Sequence, residues 1–178
     1  LHRRTNLHKF LDEQSHAVYP LDDNVLLSRN VVVFRGPETE GYPFLLEPFA
    51  VAVVSAAAVR LAHTGVDGTT TESMMLARMR TLLHVIQESG CHAAVLSAWG
   101  AGGGRNDPRR VARLFKEALD SSHGLWHVEF YFCIVEDENS YRLHNPDGNF
   151  KPFAEALRGY EATEVTCGQT KRTTSVHL

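Results

Sequence analysis

The sequence predicts an α/β fold in which buried strands alternate with amphipathic helices. Four short runs of β-branched or apolar residues have the length and composition of strands, at Val31–Phe34, Ala50–Ala56, Ala93–Trp99 and Val128–Val135. Three longer segments repeat their apolar residues at helical spacing, at Glu72–Glu88, Pro108–Leu119 and Phe150–Leu157. Because strands and helices alternate along the chain, we expect a mixed sheet with helices on both faces.

Particular residues support these elements. The apolar run Ala50–Ala56 is typical of a strand buried on both faces. Gly90 is well suited to end the long helix before it. Asp107 is the expected N-cap of the next helix, with Pro108 in the favoured first helical position. At the start of the chain, Leu1–Leu11 is expected to be the later part of a helix.

The chain has 178 residues, which suits one domain with one core. We expect that domain to span residues 1–158. Segment 35–48 contains Gly36-Pro37, Gly41 and Pro43 and is predicted to be a loop. Residues 159–178 are rich in Thr and weakly apolar, so they are expected to form a tail or a loosely packed extension.

Composition excludes several classes of protein. The net charge of −3 argues against direct binding of duplex nucleic acid. No apolar run is long enough for a membrane span. The three cysteines form no C-x-x-C pair, which argues against a disulfide framework and favours an intracellular location, cytoplasmic or nuclear. The ten histidines are scattered without metal-ligand spacing, so neither a metal site nor a cofactor is expected.

The most informative segment is a glycine-rich loop between a predicted strand and a predicted helix. Four of the five residues from Gly100 to Gly104 are glycine, and residues without bulky side chains let a phosphate approach backbone N–H groups closely. The helix starting at Pro108 adds a partial positive charge at its N-terminus. Since ligands in α/β sheets gather at the carboxyl ends of strands, the pattern favours a phosphate or diphosphate site over a plain turn.

The candidate ligand-binding residues follow from this position. The loop itself contributes Gly100, Ala101, Gly102, Gly103, Gly104, Arg105 and Asn106, and weaker candidates at strand ends are Ser55, Ala56 and Trp99. Trp99 is equally compatible with core packing. A Walker loop is excluded because no Lys-Ser or Lys-Thr pair follows the glycines. A dinucleotide fingerprint lacks its third glycine at Arg105, although Glu136 is a candidate for its ribose-binding acid. For Glu136 and its neighbours Asp137 and Glu138, the sequence favours a solvated acidic loop.

The same loop carries a resemblance to a known family. Ser97-Ala98-Trp99-Gly100-Ala101-Gly102, followed by Asn106-Asp107-Pro108, Val111-Ala112 and Phe115, resembles the loop and helix of microbial-type poly(ADP-ribose) glycohydrolases. Further landmarks of that family occur in the same order, as Arg3-Arg4-Thr5-Asn6-Leu7, Tyr19-Pro20, Val33-Phe34-Arg35, Ser55-Ala56-Ala57-Ala58 and Arg78. The resemblance implies a macrodomain-like, three-layer α/β/α fold with a mixed central sheet, of which the N-terminal part is missing.

The resemblance also implies a function. Loop amides would hold the diphosphate of ADP-ribose or poly(ADP-ribose), and a glutamate would act as the acid at the ribose–ribose bond. The glycine triplet and Gln-Glu-Glu motif of the family should end just before Leu1, so no catalytic residue is expected within this chain. Gly104 stands where the family usually has an aromatic residue, and an aromatic side chain there is expected to tighten binding. Alternatives are a non-catalytic ADP-ribose reader and an unrelated dinucleotide-binding domain.

Overall fold

The fold is seen in a computed structural model of the chain. It describes residues 1–18, 21, 24–60, 68–102, 104–122, 128–138, 140–143, 145–164 and 172–178. They form two compact units, Leu1–Ala57 and Ala58–Leu178. Strands and helices occur together, and parallel and antiparallel pairings are both present, so the predicted mixed α/β character is confirmed.

The first unit contains one helix and one antiparallel strand pair. Helix α1 spans Leu7–Val18, and strands β1 and β2 span Val25–Arg35 and Phe44–Ala56. A short 3-10 turn at Glu38–Glu40 lies in the connection between the strands. Helix α1 begins later than predicted because Thr5 forms an isolated antiparallel bridge with Val33 instead.

Both strands are longer than the apolar runs that predicted them. Strand pairing continues through polar residues and through two irregularities, between Ser28 and Val31 and between Val33 and Arg35. The prediction that Ala50–Ala56 is buried on both faces is wrong, because Ala50 is exposed and the rest is half-buried. An apolar run alone does not distinguish a fully buried strand from a partly exposed one.

The second unit alternates helices and strands. Its elements are α2 at Gly68–Ser89, β3 at Ala93–Leu96, α3 at Pro108–Ser121, β4 at Glu129–Phe132, α4 at Phe150–Leu157, β5 at Glu161–Glu164 and β6 at Arg172–His177. They form a sheet of order β3-β4-β6-β5. Strands β3, β4 and β6 run parallel, and β5 is antiparallel to β6.

The core of the second unit lies where α3 and α4 meet β4. Phe115 of α3 packs edge-to-face against Phe132 of β4, with ring centroids 5.3 Å apart. Phe153 of α4 completes the cluster, at 5.7 Å from the Phe132 ring. All three rings are buried, and burial of each contributes about 1.5–3 kcal/mol to folding.

Several strand predictions need correction. Strands β3 and β4 are shorter than the predicted Ala93–Trp99 and Val128–Val135. Among the described pairings, the four predicted strands are divided between two sheets rather than sharing one, and β3 lies at the edge of its sheet. Only one face of β4 is buried, since Phe130 and Phe132 point inward while Glu129 and Tyr131 are exposed.

The C-terminal segment differs from the expected tail. Residues 159–178 include β5 and β6, and β6 pairs with β4 through Phe130 and Tyr131. Val176 of β6 is buried. The Thr-rich composition that suggested a tail is also favourable for strands, because β-branched residues suit a pleated surface.

Candidate functional site

The candidate site lies at the carboxyl ends of the parallel strands β3 and β4. The glycine loop follows β3, and the acidic segment that begins at Cys133 follows β4. A hydrogen bond from Cys133 N to Leu96 O (2.8 Å) holds the two exits together. The two loops also lie close together at Gly102 and Asp137. A Cβ atom at Gly102 would be 3.0 Å from Oδ2 of Asp137. This edge is where α/β folds place ligands.

The glycine loop leaves part of its backbone free. Four of its amides are bonded within the protein, those of Trp99, Ala101, Arg105 and Asn106. The amides of Gly100, Gly102 and Gly104 donate to no other group in the described part of the chain. Gly103, which was also predicted to bind ligand, lies outside the described residues. Alternate free amides in a loop can bind an anion.

Two of the glycines are required by the loop's own conformation. Gly100 has φ of +91°, which L-residues rarely adopt, and a Cβ there would be 3.0 Å from Cβ of Ala58. A Cβ at Gly104 would lie 2.3 Å from the carbonyl oxygen of Gly100. The expectation that an aromatic residue at Gly104 tightens binding is therefore wrong for this loop conformation. Gly102 has neither a positive φ nor a backbone atom in the way of a Cβ. The conformation of the loop therefore does not require glycine at this position.

Asn106 and Asp107 anchor the end of the loop. The Asn106 side chain is buried, 2% exposed, and its Nδ2 donates to Val59 O at 2.8 Å. Its backbone N–H donates to Gly100 O. The structure thus assigns Asn106 a role in holding the loop. Asp107 accepts from the backbone N–H of Arg109 at 2.9 Å, and Pro108 begins α3, so both predictions for this helix start are confirmed.

Most basic side chains near the loop are neutralised by acidic ones. Arg109 donates to Asp147 and to Glu155. Arg110 and Arg113 both pair with Glu72, and the hydrogen bond from Arg113 is the main reason that the pKa of Glu72 is lowered.

Arg105 differs from these arginines. It is exposed, has φ of +52°, and its side chain pairs with no other residue in the described ranges. Of the arginines on or beside the loop, it is therefore the one available to a phosphate.

The Glu136 carboxylate is hydrogen-bonded to the start of α4. Its two carboxylate oxygens accept from the backbone N–H groups of Asn149 and Phe150, at 2.8 and 2.9 Å. Partial burial raises the pKa of Glu136, but hydrogen bonds from Ser140 and from these two amides outweigh it and hold the pKa below its usual value. Glu136, Asp137 and Glu138 are exposed, as predicted for a solvated acidic loop. The two hydrogen bonds to the start of α4 weaken the candidacy of Glu136 as a ribose ligand of a dinucleotide fold.

Asp137 lies beside the candidate site, although the sequence assigned it only to a solvated acidic loop. Its position opposite Gly102 depends on two loops that lie 35 residues apart in the chain (137 − 102). No sequence pattern connects them, apart from the fact that both follow predicted strands. A carboxylate here repels a diphosphate but can accept a hydrogen bond from a ribose hydroxyl.

The weaker candidates fall in different places. Ser55 and Ala56 end β2 in the first unit, paired with Leu26 and Val25. Trp99 packs edge-to-face on Phe115 with centroids 6.4 Å apart, which favours the core-packing interpretation of this residue. A contribution of these three residues to ligand binding stays a prediction.

The described residues provide neither a metal-binding cluster nor a membrane-spanning helix. Within the described ranges, no group of three or more His, Cys, Asp or Glu side chains is placed to hold a metal ion. Nor does any helix of those ranges combine the length and the apolar character needed to cross a bilayer.

Among known proteins, the chain is similar to solved structures of one kind of enzyme. Neither a protein-family model nor a curated protein sequence matches the chain. Among solved structures, poly(ADP-ribose) glycohydrolase from Deinococcus radiodurans in complex with ADP-ribose matches with a TM-score of 0.73 and 24% identity, over 89% of this chain and 65% of that one. The same enzyme in apo form matches with a TM-score of 0.62 and 26% identity, over 84% and 59%.

A second organism provides the same match. Poly(ADP-ribose) glycohydrolase from Thermomonospora curvata matches with a TM-score of 0.59 and 26% identity, over 84% of this chain and 52% of that one. The present chain therefore spans between about half and two thirds of the length of these enzymes. The predicted resemblance is confirmed at the level of structure: the chain has a macrodomain-like α/β fold similar to that of the microbial poly(ADP-ribose) glycohydrolases.

Proposed function

We propose that this protein binds ADP-ribose or poly(ADP-ribose), with the diphosphate held by the glycine loop. The observation that carries the proposal is the set of three loop amides, at Gly100, Gly102 and Gly104, that have no acceptor within the described part of the protein. They lie between the end of β3 and the N-terminus of α3, where the partial positive charge of a helix favours an anion. Arg105 supplies a further positive charge.

Structural relatives support the chemical class of the ligand. Several of the matching Deinococcus radiodurans structures are complexes with ADP-ribose. A diphosphate flanked by two riboses suits an edge that offers both free amides and a carboxylate. In this proposal, Asp137 accepts a hydrogen bond from a ribose hydroxyl while the amides bind the phosphates.

Hydrolysis of ADP-ribose glycosidic linkages is the enzymatic part of the proposal, and it requires the upstream glutamate motif that the family resemblance implies. Two carboxylates of the described residues, those of Glu72 and Glu136, are poor proton donors. The pKa values of Glu72 and Glu136 are both lowered, by arginines in one case and by Ser140 and backbone amides in the other. The same observation supports the second candidate, a non-catalytic reader of ADP-ribose. In either case the proposal includes an intracellular location.

Binding is tested by calorimetric titration of ADP-ribose into the wild-type chain and two loop variants. Gly102→Val places a branched side chain between the free amides and against the flexible end of Asp137, so binding should be lost while the fold is retained. Arg105→Ala should weaken binding by about 1.5–3 kcal/mol, the usual contribution of a hydrogen bond to a charged group. The matched control is Arg158→Ala, an exposed arginine at the end of α4. Equal affinity in all four proteins would mean that the loop is only a turn.

Hydrolysis is tested separately, with poly(ADP-ribose) as substrate. The chain of 178 residues should release no ADP-ribose, whereas a version extended upstream through the expected Gln-Glu-Glu motif should. Turnover by the shorter chain would contradict the placement of the catalytic group. Binding without turnover by the extended version would favour the reader.

A further inference from the structure

The first unit contains a cleft that the proposed diphosphate loop does not use. One part, of about 330 Å³, is lined by Arg3, Phe34, Arg35 and Tyr42. An adjoining part, of about 400 Å³, shares Arg3 and Tyr42 and extends past Arg4. Volumes of this size are within the range of small-molecule sites. We call the two parts together the arginine cleft.

Two arginines that line the arginine cleft, Arg3 and Arg35, each lie over an aromatic ring. The Arg35 guanidinium lies over the ring of Phe44, 4.0 Å from its centroid, and the Arg3 guanidinium lies over Tyr42 at 5.6 Å. Phe44 is 70% exposed, so the Arg35–Phe44 pair is accessible from solvent. Stacked guanidinium and aromatic planes accept a nucleobase on their free faces, while guanidinium N–H groups bind phosphate.

The charge of the arginine cleft is positive. Three lining side chains are arginines, Arg3, Arg4 and Arg35, and Glu38 is the acidic residue among those that line it. None of the three guanidinium groups forms an ion pair with a carboxylate in the described ranges. Their charge is therefore not cancelled locally, unlike that of Arg109, Arg110 and Arg113 in the second unit.

Backbone contacts hold the arginine cleft in shape. Phe34 N and Arg35 N both donate to Arg4 O, at 3.0 and 3.3 Å, and Arg4 Nε donates to Arg35 O at 3.2 Å. Tyr42 has φ of +59°, an uncommon conformation for an aromatic residue, and its N–H is held by Pro37 O at 3.1 Å. A costly backbone conformation that presents an aromatic ring to a cleft is typical of binding sites.

We propose that the arginine cleft is a second nucleotide subsite, which binds the adenosine diphosphate part of a further ADP-ribose unit. Arg3 and Arg35 bind the phosphates, and the adenine stacks on Tyr42 or on the exposed Arg35–Phe44 pair. The identity of the ligand rests on the proposed function, because a polymer of ADP-ribose offers several such units to one protein. Single-stranded RNA shares part of this chemistry but is disfavoured by the net charge of −3.

The test uses fluorescence anisotropy with labelled oligo(ADP-ribose) of several units. Three variants of the arginine cleft are compared with wild type, the double variant Arg3→Ala/Arg35→Ala, Tyr42→Asn and Glu38→Gln. The control is Arg158→Ala in the second unit. Asparagine tolerates the positive φ at position 42, so Tyr42→Asn removes the ring with little change in the backbone. Circular dichroism confirms that each variant is folded.

The expected result depends on charge and on the ring. The double variant should bind the oligomer at least about tenfold more weakly, since one hydrogen bond between charged groups contributes that much. Tyr42→Asn should weaken binding, Glu38→Gln should strengthen it, and Arg158→Ala should leave it unchanged. Affinity for monomeric ADP-ribose at the glycine loop should not change in the double variant.

Several results would overturn the second subsite. One is an oligomer affinity that the double variant leaves unchanged, and another is a wild-type protein that does not bind the oligomer. Oligoadenylate RNA that competes as well as oligo(ADP-ribose) would identify a nucleic-acid surface instead. These outcomes are separate from the test of the glycine loop, which uses monomeric ADP-ribose and Gly102→Val.

Discussion

Asn106 connects the stability of the second unit to the shape of the glycine loop, and its replacement by alanine tests that connection. The side chain is 2% exposed and donates to the carbonyl oxygen of Val59, a residue that is itself buried. Asn106→Ala leaves this carbonyl without its donor. An unsatisfied buried acceptor costs about 1–3 kcal/mol, which for a chain of this length corresponds to a fall of roughly 2–12 °C in Tm.

The same variant should weaken ligand binding. Nδ2 of Asn106 would lie 3.0 Å from a Cβ at Gly100, so the side chain packs directly against the first glycine of the loop. Its loss frees the loop to leave the conformation that exposes the three amides. We expect weaker binding of ADP-ribose in addition to lower stability, because a mobile loop must be ordered on binding.

The measurements are a thermal unfolding curve followed by circular dichroism and a calorimetric titration. Asn24→Ala, at an exposed asparagine, is the matched control and should change neither quantity. Asn106→Asp keeps the volume but brings a carboxylate to the Val59 carbonyl, so it should destabilise at least as much as alanine. A Tm for Asn106→Ala within 1 °C or so of wild type would refute the assigned role, since the lost hydrogen bond predicts at least about twice that.

Two further outcomes are expected. Glu136→Gln should lower stability by about 0.5–1 kcal/mol at neutral pH, because the amide replaces a carboxylate that accepts two N–H groups at the start of α4. Since the pKa of Glu136 is lowered from 4.5, this stabilisation is present above about that pH and is lost as pH falls through the folded-state pKa, so urea unfolding of the two proteins should converge in acid. Gly104→Phe should destabilise the loop and weaken ADP-ribose binding, because its Cβ would lie 2.3 Å from the Gly100 carbonyl oxygen; tighter binding by this variant would show that the loop adopts another conformation with ligand.

The sequence pattern predicted the helices more accurately than the strands. Helix α3 begins at the predicted Pro108 with the predicted Asp107 cap, and α4 spans the predicted Phe150–Leu157. Both depend on local rules of capping and helical spacing. By contrast, β6 was not predicted, because Thr-rich residues form a strand only when a partner such as β4 is available. Apolar composition also overestimated the burial of Ala50–Ala56.

By itself, the sequence determined the mixed α/β character, the order of strand, glycine loop and helix, and the resemblance to microbial poly(ADP-ribose) glycohydrolases. These properties are encoded in runs of neighbouring residues. Only the tertiary structure decided that Gly100 and Gly104 serve the loop itself, that Asn106 bonds a carbonyl 47 residues away, and that Asp137 faces Gly102. The physical reason is that such contacts depend on the path of the chain between distant segments, which local propensity and spacing do not specify.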